Sequence, residues 1–485
     1  MLLIFLLGVP LLLAAGIFLA RDARSFGIVN VLGYFGMLIA SVLLLREVVV
    51  NNGLVTAYHF LVADTLSAYF IFVIAVVALA TALYSIGYIN KDIAQGSISG
   101  KKAKTYYLLF NLFCFSMFLV PLVNNLGLMW VAIEMTTLVS AFLVGFYNTK
   151  KSVEAAWKYI IICSAGIIFA LLGTILFSYA FSISGCMKSL NWTEAVSTAS
   201  ALDPKVIKIA FIFILVGYGT KAGLAPMHNW LPDAHSQAVG PVSALLSGVL
   251  LKTAIYAILR FGFIVIKSVG FAYFGHLLLL LGIVSLAISC CFILIQKDLK
   301  RLLAYSSIEH IGIIAIGLGL GTPWGFLGAL LHIFNHAVTK SLMFFGASNM
   351  VRAYNTHNLH SIRGVIKALP YTGIIVLLGM FALTGFPPFS IFISEFLIIM
   401  GAFNKGAYVV AGAILLFLVV IFGAFIYRFS EMLFGHLPKN MTVQKEPLSG
   451  KIAFAFLLIL ICATGPALIY FREDLLCLVQ ILLPL

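Results

Sequence analysis

The sequence predicts an all-α polytopic membrane protein with about fourteen transmembrane helices. Hydrophobic residues make up 62% of its 485 residues and charged residues only 9%, whereas soluble domains carry about 25% charged residues. Apolar runs of about 20 residues, long enough to cross about 30 Å of hydrocarbon, recur along the chain. Because lipid cannot satisfy free backbone N–H and C=O groups, these runs are expected to be helices. The alternating pattern of a transmembrane barrel is absent.

Short loops separate the predicted helices. The first apolar run has no charged residue before it, so we expect a spanning helix rather than a cleaved signal peptide. The seven cysteines show no CxxC spacing, so no disulfide framework, iron–sulfur cluster or haem attachment is expected. The fourteen segments are residues 2–20, 27–46, 63–89, 105–123, 127–147, 154–181, 206–232, 239–266, 272–295, 301–320, 324–350, 371–402, 407–430 and 452–470.

The charges between the segments predict the orientation of the chain. Loops after odd-numbered segments, together with the segment ends beside them, carry eighteen Lys and Arg residues, and those after even-numbered segments carry eight. The positive-inside rule therefore puts the odd-numbered loops in the cytoplasm and both termini outside. The net charge of +14 arises from these loops, so it indicates membrane topology and not a nucleic-acid partner.

Two of the predicted helices are interrupted by glycine and proline. The seventh breaks at Gly223 and Pro226, and the twelfth breaks at Gly385, Pro387 and Pro388. Broken helices at corresponding positions of two halves indicate an inverted-repeat transporter, although two ordinary proline kinks would give the same pattern. The predicted units are a three-helix segment, two inverted five-helix repeats and a C-terminal helix with its tail, at residues 1–103, 104–268, 269–436 and 437–485.

Ionisable residues of both signs lie inside the apolar runs. A charge at bilayer depth costs roughly 2.5–3.5 kcal/mol on insertion scales, so each is expected to have a partner or a function. Such a row is what a proton path through a membrane requires. The predicted path consists of Glu134, Lys221, Lys252, His332, His336, Lys340 and Glu395.

Three parts of this path have different chemistry. Glu134 and Lys221 are expected to form an ion pair whose separation controls the proton on the lysine, or a static pair that joins the fifth and seventh helices. Lys252 lies mid-helix without a nearby carboxylate, which suits a proton carrier. Steps of four residues put a further three groups on one helix face, as a proton relay or a packed polar seam: His332, His336 and Lys340.

The histidine pair of this face also has zinc spacing, but a third ligand is not nearby in the sequence, so no metal is assigned. Glu395 is expected near the outer exit. Lys158 follows Glu154 by four residues, so it either tunes the Glu134–Lys221 pair or forms a surface pair.

Two roles remain open for each of four further residues. The predicted roles are proton uptake or capping for His228 and His235, and relay or partner contact for Glu309 and His310.

The motifs that carry these residues resemble a known superfamily. Residues 221–235 (KAGLAPMHNWLPDAH), 304–312 (AYSSIEHIG) and 386–396 (FPPFSIFISEF) are similar to the antiporter-like subunits of respiratory complex I, multi-subunit sodium/proton antiporters and energy-converting hydrogenases. Residues 132–144 and 154–164 most resemble component F of hydrogenase-4. The resemblance covers the full chain and implies fourteen helices, inverted five-helix repeats, a Glu134–Lys221 pair, a central Lys252 and a terminal Glu395.

The resemblance also implies a function. We expect a proton-translocating subunit in the inner membrane of a prokaryote, within a group 4 energy-converting hydrogenase or formate hydrogenlyase. This chain is expected to hold no cofactor, while partner subunits carry iron–sulfur clusters and a nickel–iron site. Expected partners are other antiporter-like subunits, small membrane subunits and soluble redox subunits, with protons or sodium as the ion. The alternatives are a secondary sodium/proton antiporter subunit and the membrane partner of a carbon dioxide uptake complex.

The loop charges give a testable orientation. A reporter that is active only in the cytoplasm should stay silent when fused to the C-terminus, because that terminus is predicted to lie outside. The same reporter fused after residue 439, in the loop that follows the thirteenth segment, should be active. A strong signal from the C-terminal fusion would contradict the predicted count or orientation.

Overall fold

A computed structural model of the chain describes residues 1–18, 22–50, 53–57, 60–185, 189–439 and 441–470. The first ten α-helices are α1 (Leu2–Gly16), α2 (Ala23–Val50), α3 (Thr65–Ala94), α4 (Gly100–Leu119), α5 (Leu126–Val144), α6 (Lys150–Ser184), α7 (Trp192–Ser197), α8 (Pro204–Ala222), α9 (Trp230–Gln237) and α10 (Gly240–Leu245). The others are α11 (Leu251–Val269), α12 (Phe271–Ile295), α13 (Leu299–Gly319), α14 (Pro323–Tyr354), α15 (Val365–Ala368), α16 (Pro370–Leu383), α17 (Ser390–Asn404), α18 (Tyr408–Phe434) and α19 (Leu448–Tyr470).

Smaller elements connect these helices. Two short strands, β1 (Val55–Ala57) and β2 (Leu61–Ala63), form an antiparallel hairpin in which Val55 faces Ala63. Two 3₁₀ turns cover Ala199–Ala201 and Leu359–Ser361. A π turn at Leu246–Leu250 joins α10 to α11.

Helices occupy all fourteen predicted segments, with ends that differ by a few residues. Within the described ranges, nine helices are long and apolar enough to cross a membrane. Three shorter apolar helices are α1, α16 and α17. The chain is therefore a multi-pass membrane protein. Several features used in the sequence predictions lie outside the described residues: positions 19–20 and 471–485, the loop charges Arg21, Lys188 and Arg472, and Cys186 and Cys477.

Side-chain caps fix where many helices begin. The first four backbone N–H groups of a helix have no partner within the helix, and a preceding Asp, Asn, Ser or Thr can accept from one of them. Eight α-helix starts in the described residues have such a cap: Asp22, Asp64, Ser99, Asn125, Thr149, Asp203, Asp298 and Thr322.

The core of the bundle consists of α3, α10 with α11, and α13. In the most apolar part of each, 83% of α3, 100% of the Gly240–Val269 segment and 94% of α13 are buried, against 28% of α18. The outer helices α2, α6 and α18 leave apolar side chains exposed, as expected for surfaces that face lipid. The ionisable residues in the core helices are thereby kept away from hydrocarbon.

Residues near four odd-numbered loops meet at one face of the bundle, and residues near four even-numbered loops meet at another. At the first face, a cavity of about 710 Å³ is lined by residues from the ends of the fifth, seventh, ninth and eleventh segments, including Lys151, Gln237, Asp298 and His357. We call it the odd-loop vestibule. At the other face, the ends of the second, fourth, sixth and eighth segments meet around Asp64, Asn125, Trp192 and Arg260.

Ion pairs fix both ends of α3, which is about 45 Å long at 1.5 Å per residue. At its start, Arg260 donates to both carboxylate oxygens of Asp64 at 2.6 Å. At its end, Arg352 donates to Asp92 at 2.5 Å. Both arginines also stack on aromatic rings. The central helix is therefore tied to α11 at one end and to α14 at the other.

Candidate functional site

The two interrupted helices position the site. α8 ends at Ala222, and Gly223 follows with φ +78° before α9 begins. α16 ends at Leu383, and Gly385 follows with φ +66° before α17 begins. Left-handed backbone of this kind favours glycine because it lacks a Cβ. The structure thus interrupts both helices at the glycines identified in the sequence.

Lys221 lies in the last turn of α8, directly before the first break. Its side chain is completely buried. The ammonium donates to Thr137 Oγ1 at 2.8 Å and to the Tyr159 hydroxyl at 2.7 Å, and it lies 4.9 Å from the centre of the Tyr159 ring. Lys221 is therefore held by hydroxyl groups from α5 and α6.

Glu134 reaches Lys221 through Thr137. The Thr137 hydroxyl donates to Glu134 Oε2 at 3.3 Å, and Ser164 Oγ donates to Oε1 at 2.9 Å. The direct Glu134–Lys221 ion pair expected from the sequence is not formed, because Thr137 lies between the two charges. A threonine hydroxyl can accept from an ammonium and donate to a carboxylate at the same time, so the two charged groups remain coupled.

Lys252 lies in the first turn of α11, directly after the π turn. Its ammonium donates to the backbone carbonyl of Ser247 within that turn. The Ser247 hydroxyl in turn bonds Ser307 Oγ of α13 at 2.7 Å. No carboxylate within the described ranges pairs with Lys252. π turns are frequent at functional sites, and this one links the lysine to α13.

Histidines from α13 and α14 meet in the second half of the chain. His310 Nδ1 and His332 Nε2 share a hydrogen bond of 2.9 Å, and His332 Nδ1 bonds Ser394 Oγ at the same distance. The His336 ring lies 4.7 Å from that of His310. The structure therefore places His310 of α13 against the predicted face of α14 that carries His332 and His336.

Hydrogen bonds join the ring nitrogens of this cluster into a short chain. Ser394 Oγ donates to the Ile391 carbonyl and bonds His332 Nδ1, while His332 Nε2 bonds His310 Nδ1. A neutral imidazole carries one N–H and one bare nitrogen, so the direction of both histidine bonds depends on the tautomer. His310 Nε2 has no hydrogen-bond partner within this chain of contacts.

Glu395 lies beside this cluster, against the second break. Its carboxylate occupies the space that a Cβ at Gly385 would fill, and Oε1 has no hydrogen-bond partner. One ligand atom each from Glu395, His310 and His332 lies within 4.8 Å of the other two. These three residues could hold a metal ion. Buried polar atoms without a partner require water or an ion.

Lys340 and Glu309, the remaining predicted residues of this half, are also buried. Lys340 donates to the Leu303 carbonyl at 2.7 Å and to Ser306 Oγ. Glu309 is 2% exposed and lies on α13 beside His310. Lys340 thus faces α13, as the predicted helix face requires.

Lys158 lies at the odd-loop vestibule. Its half-exposed ammonium bonds Glu154 at 2.7 Å and Asp233 at 3.3 Å. Arg301 also donates to Asp233. The surface-pair interpretation therefore describes the contacts of Lys158, and Asp233 joins α6 to α13.

His235 and His228 are both buried and are not surface residues that cap a helix. His235 is fully buried and stacks on Phe344 with ring centres 4.8 Å apart. Neither of its ring nitrogens has a hydrogen-bond partner. His228 is 4% exposed and lies beside Tyr305. His235 directly precedes Ser236, which lines the vestibule together with Asp233.

The sequence reasoning missed Thr137, Tyr159 and Asp233. Thr137 follows Glu134 by three residues and therefore shares its helix face. Asp233 lies ten positions after Gly223, as Glu395 does after Gly385. Both signals were present in the sequence. No local pattern indicates Tyr159, since its contact with Lys221 joins two distant helices.

Interrupted helices with buried ionisable groups beside each break define a membrane protein of transporter architecture. A family model described as NADH:quinone oxidoreductase/Mrp antiporter, TM, matches residues 123–422. The hydrogenase-4 component F homolog of Methylacidiphilum infernorum is 39% identical over 378 residues, which cover 78% of this chain and 79% of that protein. The chain belongs to the NADH:quinone oxidoreductase/Mrp antiporter family.

Solved structures share the fold. A chain of an archaeal respiratory membrane complex, the membrane-bound sulfane sulfur reductase, is 23% identical with a TM-score of 0.86, over 98% of this chain and 95% of that chain. A chain of respiratory complex I from Thermus thermophilus is 25% identical with a TM-score of 0.76, over 97% of this chain and 98% of that chain.

The second break gives a prediction. Gly385→Ala should lower the Tm of the purified protein more than Gly406→Ala. Both glycines have left-handed backbone, at φ +66° and +74°, where a non-glycine residue costs roughly 1–2 kcal/mol. Only the methyl group at residue 385 also displaces the Glu395 carboxylate, since a Cβ at residue 406 would meet no atom within 4 Å. Equal losses of Tm would show that the carboxylate does not occupy this position.

Proposed function

We propose that this chain is a proton-translocating, antiporter-like membrane subunit of a redox-driven assembly related to complex I. The observation that carries the proposal is the series of buried and partly buried ionisable groups along the two interrupted helices and their neighbours. Its members are Glu134, Lys221, Lys252, Lys340, His336, His310, His332 and Glu395. Family membership and the hydrogenase-4 relative support the same function.

The first half responds to its surroundings through Glu134. This residue is only partly buried, on a surface where Val131 and Leu138 are half exposed. A partner subunit on this surface would reach the carboxylate directly. A change there alters the Thr137 hydroxyl, which holds Lys221, and so alters how firmly Lys221 retains its proton.

The proton then moves inward through water between fixed groups. Lys252 receives it at the π turn. Lys340 and the histidines pass it on, because a neutral imidazole can accept a proton at one nitrogen and release another. Glu395 releases it at the second break. Protons enter from the odd-loop vestibule past Asp233 and His235.

The finer architecture is part of this proposal. Fourteen helices cross the inner membrane of a prokaryote, with both termini outside. Residues 104–268 and 269–436 form two inverted five-helix repeats, flanked by residues 1–103 and 437–485. The breaks at Gly223 and Gly385 and the gathering of odd-numbered loops at one face support this arrangement.

A group 4 energy-converting hydrogenase or formate hydrogenlyase is the proposed assembly. The hydrogenase-4 component F homolog supports this choice. In such an assembly, soluble redox subunits would carry iron–sulfur clusters and a nickel–iron site, and other antiporter-like and small membrane subunits would adjoin this chain. The second candidate, a secondary sodium/proton antiporter subunit, is favoured by the Mrp antiporters within the same family.

Lys221→Ala tests the function in the purified native complex. The variant should lose proton uptake coupled to the redox reaction, because no other ammonium within the described residues bonds Thr137 and Tyr159. Lys208→Ala, which removes an exposed lysine from the same helix, should pump normally. Proton uptake per electron is measured in proteoliposomes. A normal ratio in Lys221→Ala would exclude the proposed path.

A pair of variants tests Lys252 as a carrier. Lys252→Arg keeps the positive charge, but a guanidinium does not release its proton in proteins. If Lys252 carries protons, both Lys252→Arg and Lys252→Ala should lose pumping while the complex still assembles. If it only contributes charge and packing, the arginine variant should pump nearly as well as the parent. Proton uptake of the two variants distinguishes these cases.

A further inference from the structure

We propose that His310, His332 and Glu395 form a binding site for a Zn²⁺ ion. The three residues come from α13, α14 and α17, so the site exists only in the folded chain. One ligand atom of each lies within 4.8 Å of the other two. The site goes beyond the proposed function and does not rest on it, because metal binding depends only on the donors.

The unpartnered atoms of the cluster point to a ligand. Glu395 is 5% exposed and His310 is 0% exposed. Glu395 Oε1 and His310 Nε2 nevertheless have no hydrogen-bond partner, and neither do the two ring nitrogens of His336. Buried polar atoms normally have partners. Their concentration within one cluster fits an ion that the chain takes up.

The donors match zinc better than a hard cation. Two imidazoles and a carboxylate are a known three-residue zinc set, with a fourth position left for water or another ligand. Calcium and magnesium take oxygen donors, and this cluster offers two nitrogens. The carboxylate also offsets part of the charge that the ion brings into the membrane.

Hydrogen bonds around the cluster orient a ligand. His332 Nδ1 bonds Ser394 Oγ, and in the tautomer with the proton on Nδ1 the other nitrogen, Nε2, presents its lone pair to the cluster. A ligating histidine usually bonds through its other nitrogen in this way. His310 Nδ1 and His332 Nε2 are 2.9 Å apart and share one proton. That proton must move to the other nitrogen of its ring before both facing nitrogens can donate to zinc. Zinc–nitrogen bonds of 2.0–2.1 Å require ligand atoms about 3.4 Å apart, so small side-chain movements suffice.

The second break brings the site close to the surface of the chain. The Glu395 carboxylate lies against Gly385. The next three residues of the turn, Phe386, Pro387 and Pro388, are exposed at the surface of the chain. The carboxylate therefore contacts a turn whose following residues reach the surface.

Zinc binding to the purified full-length chain, prepared with an affinity tag that lacks histidine, tests the proposal. Bound zinc is measured by equilibrium dialysis and elemental analysis, and the visible spectrum of bound Co²⁺ reports the donor geometry. The parent should bind one tight zinc per chain, and its cobalt spectrum should be that of a four-coordinate site. Zinc affinity should fall at least about tenfold in both His332→Gln and Glu395→Gln, since losing even a group that orients a ligand costs 10–100-fold.

A double variant controls for surface histidines. His276→Gln/His436→Gln removes two exposed imidazoles and should keep the tight zinc. The proposal is overturned if the parent binds no tight zinc, or if the double variant loses it. It is equally overturned if both cluster variants elute as folded monodisperse protein and bind zinc as the parent does. Failure of the proposed function, seen as normal pumping by Lys221→Ala, would leave these binding results unchanged.

Discussion

The backbone N–H and C=O groups that this chain carries into the membrane must find partners within the protein, and the rest of the structure depends on that constraint. The helix breaks are possible only because the freed groups are satisfied. At the first break, Ala225 N–H donates to Ser285 Oγ at 2.9 Å, and the Trp230 indole donates to the Thr220 carbonyl at 2.8 Å. The first break can therefore place glycine backbone beside Lys221 while these two backbone groups keep hydrogen-bond partners.

The same constraint separates two kinds of buried charge. Asp64 and Arg260 form a pair with two hydrogen bonds between them and further bonds to Ser67 and Tyr256. Such a network rigidifies the bundle. The groups of the central cluster are different, because Glu395, His310 and His336 retain atoms without partners. The fully hydrogen-bonded charges hold α3 in place. The groups with unpartnered polar atoms are those that can exchange a proton or accept an ion.

Much of the helical fold could be predicted from the sequence, because hydrocarbon imposes length and apolarity on each segment. Both interruptions could also be predicted, because glycine and proline disrupt a helix locally. The π turn beside Lys252 could not be predicted, since residues 246–250 read as ordinary apolar helix. The hydroxyl of Thr137 between Glu134 and Lys221 was also missed. The sequence shows two opposite charges, which predict a direct ion pair, and it does not show which side chain lies between them. Contacts between helices, such as His310 with His332, have no signal in the spacing of either helix.

The carboxylates that follow the two breaks show how similar halves acquire different chemistry. Asp233 and Glu395 both lie ten positions after a left-handed glycine. Asp233 lines the vestibule and faces two cations, Lys158 and Arg301, so a proton must displace an ion pair to reach it. Glu395 is buried against Gly385 and has no cation bonded to it among the described residues, so it can take a proton or a metal ion directly. The helix break supplies the position, and the neighbouring side chains decide what the carboxylate does there.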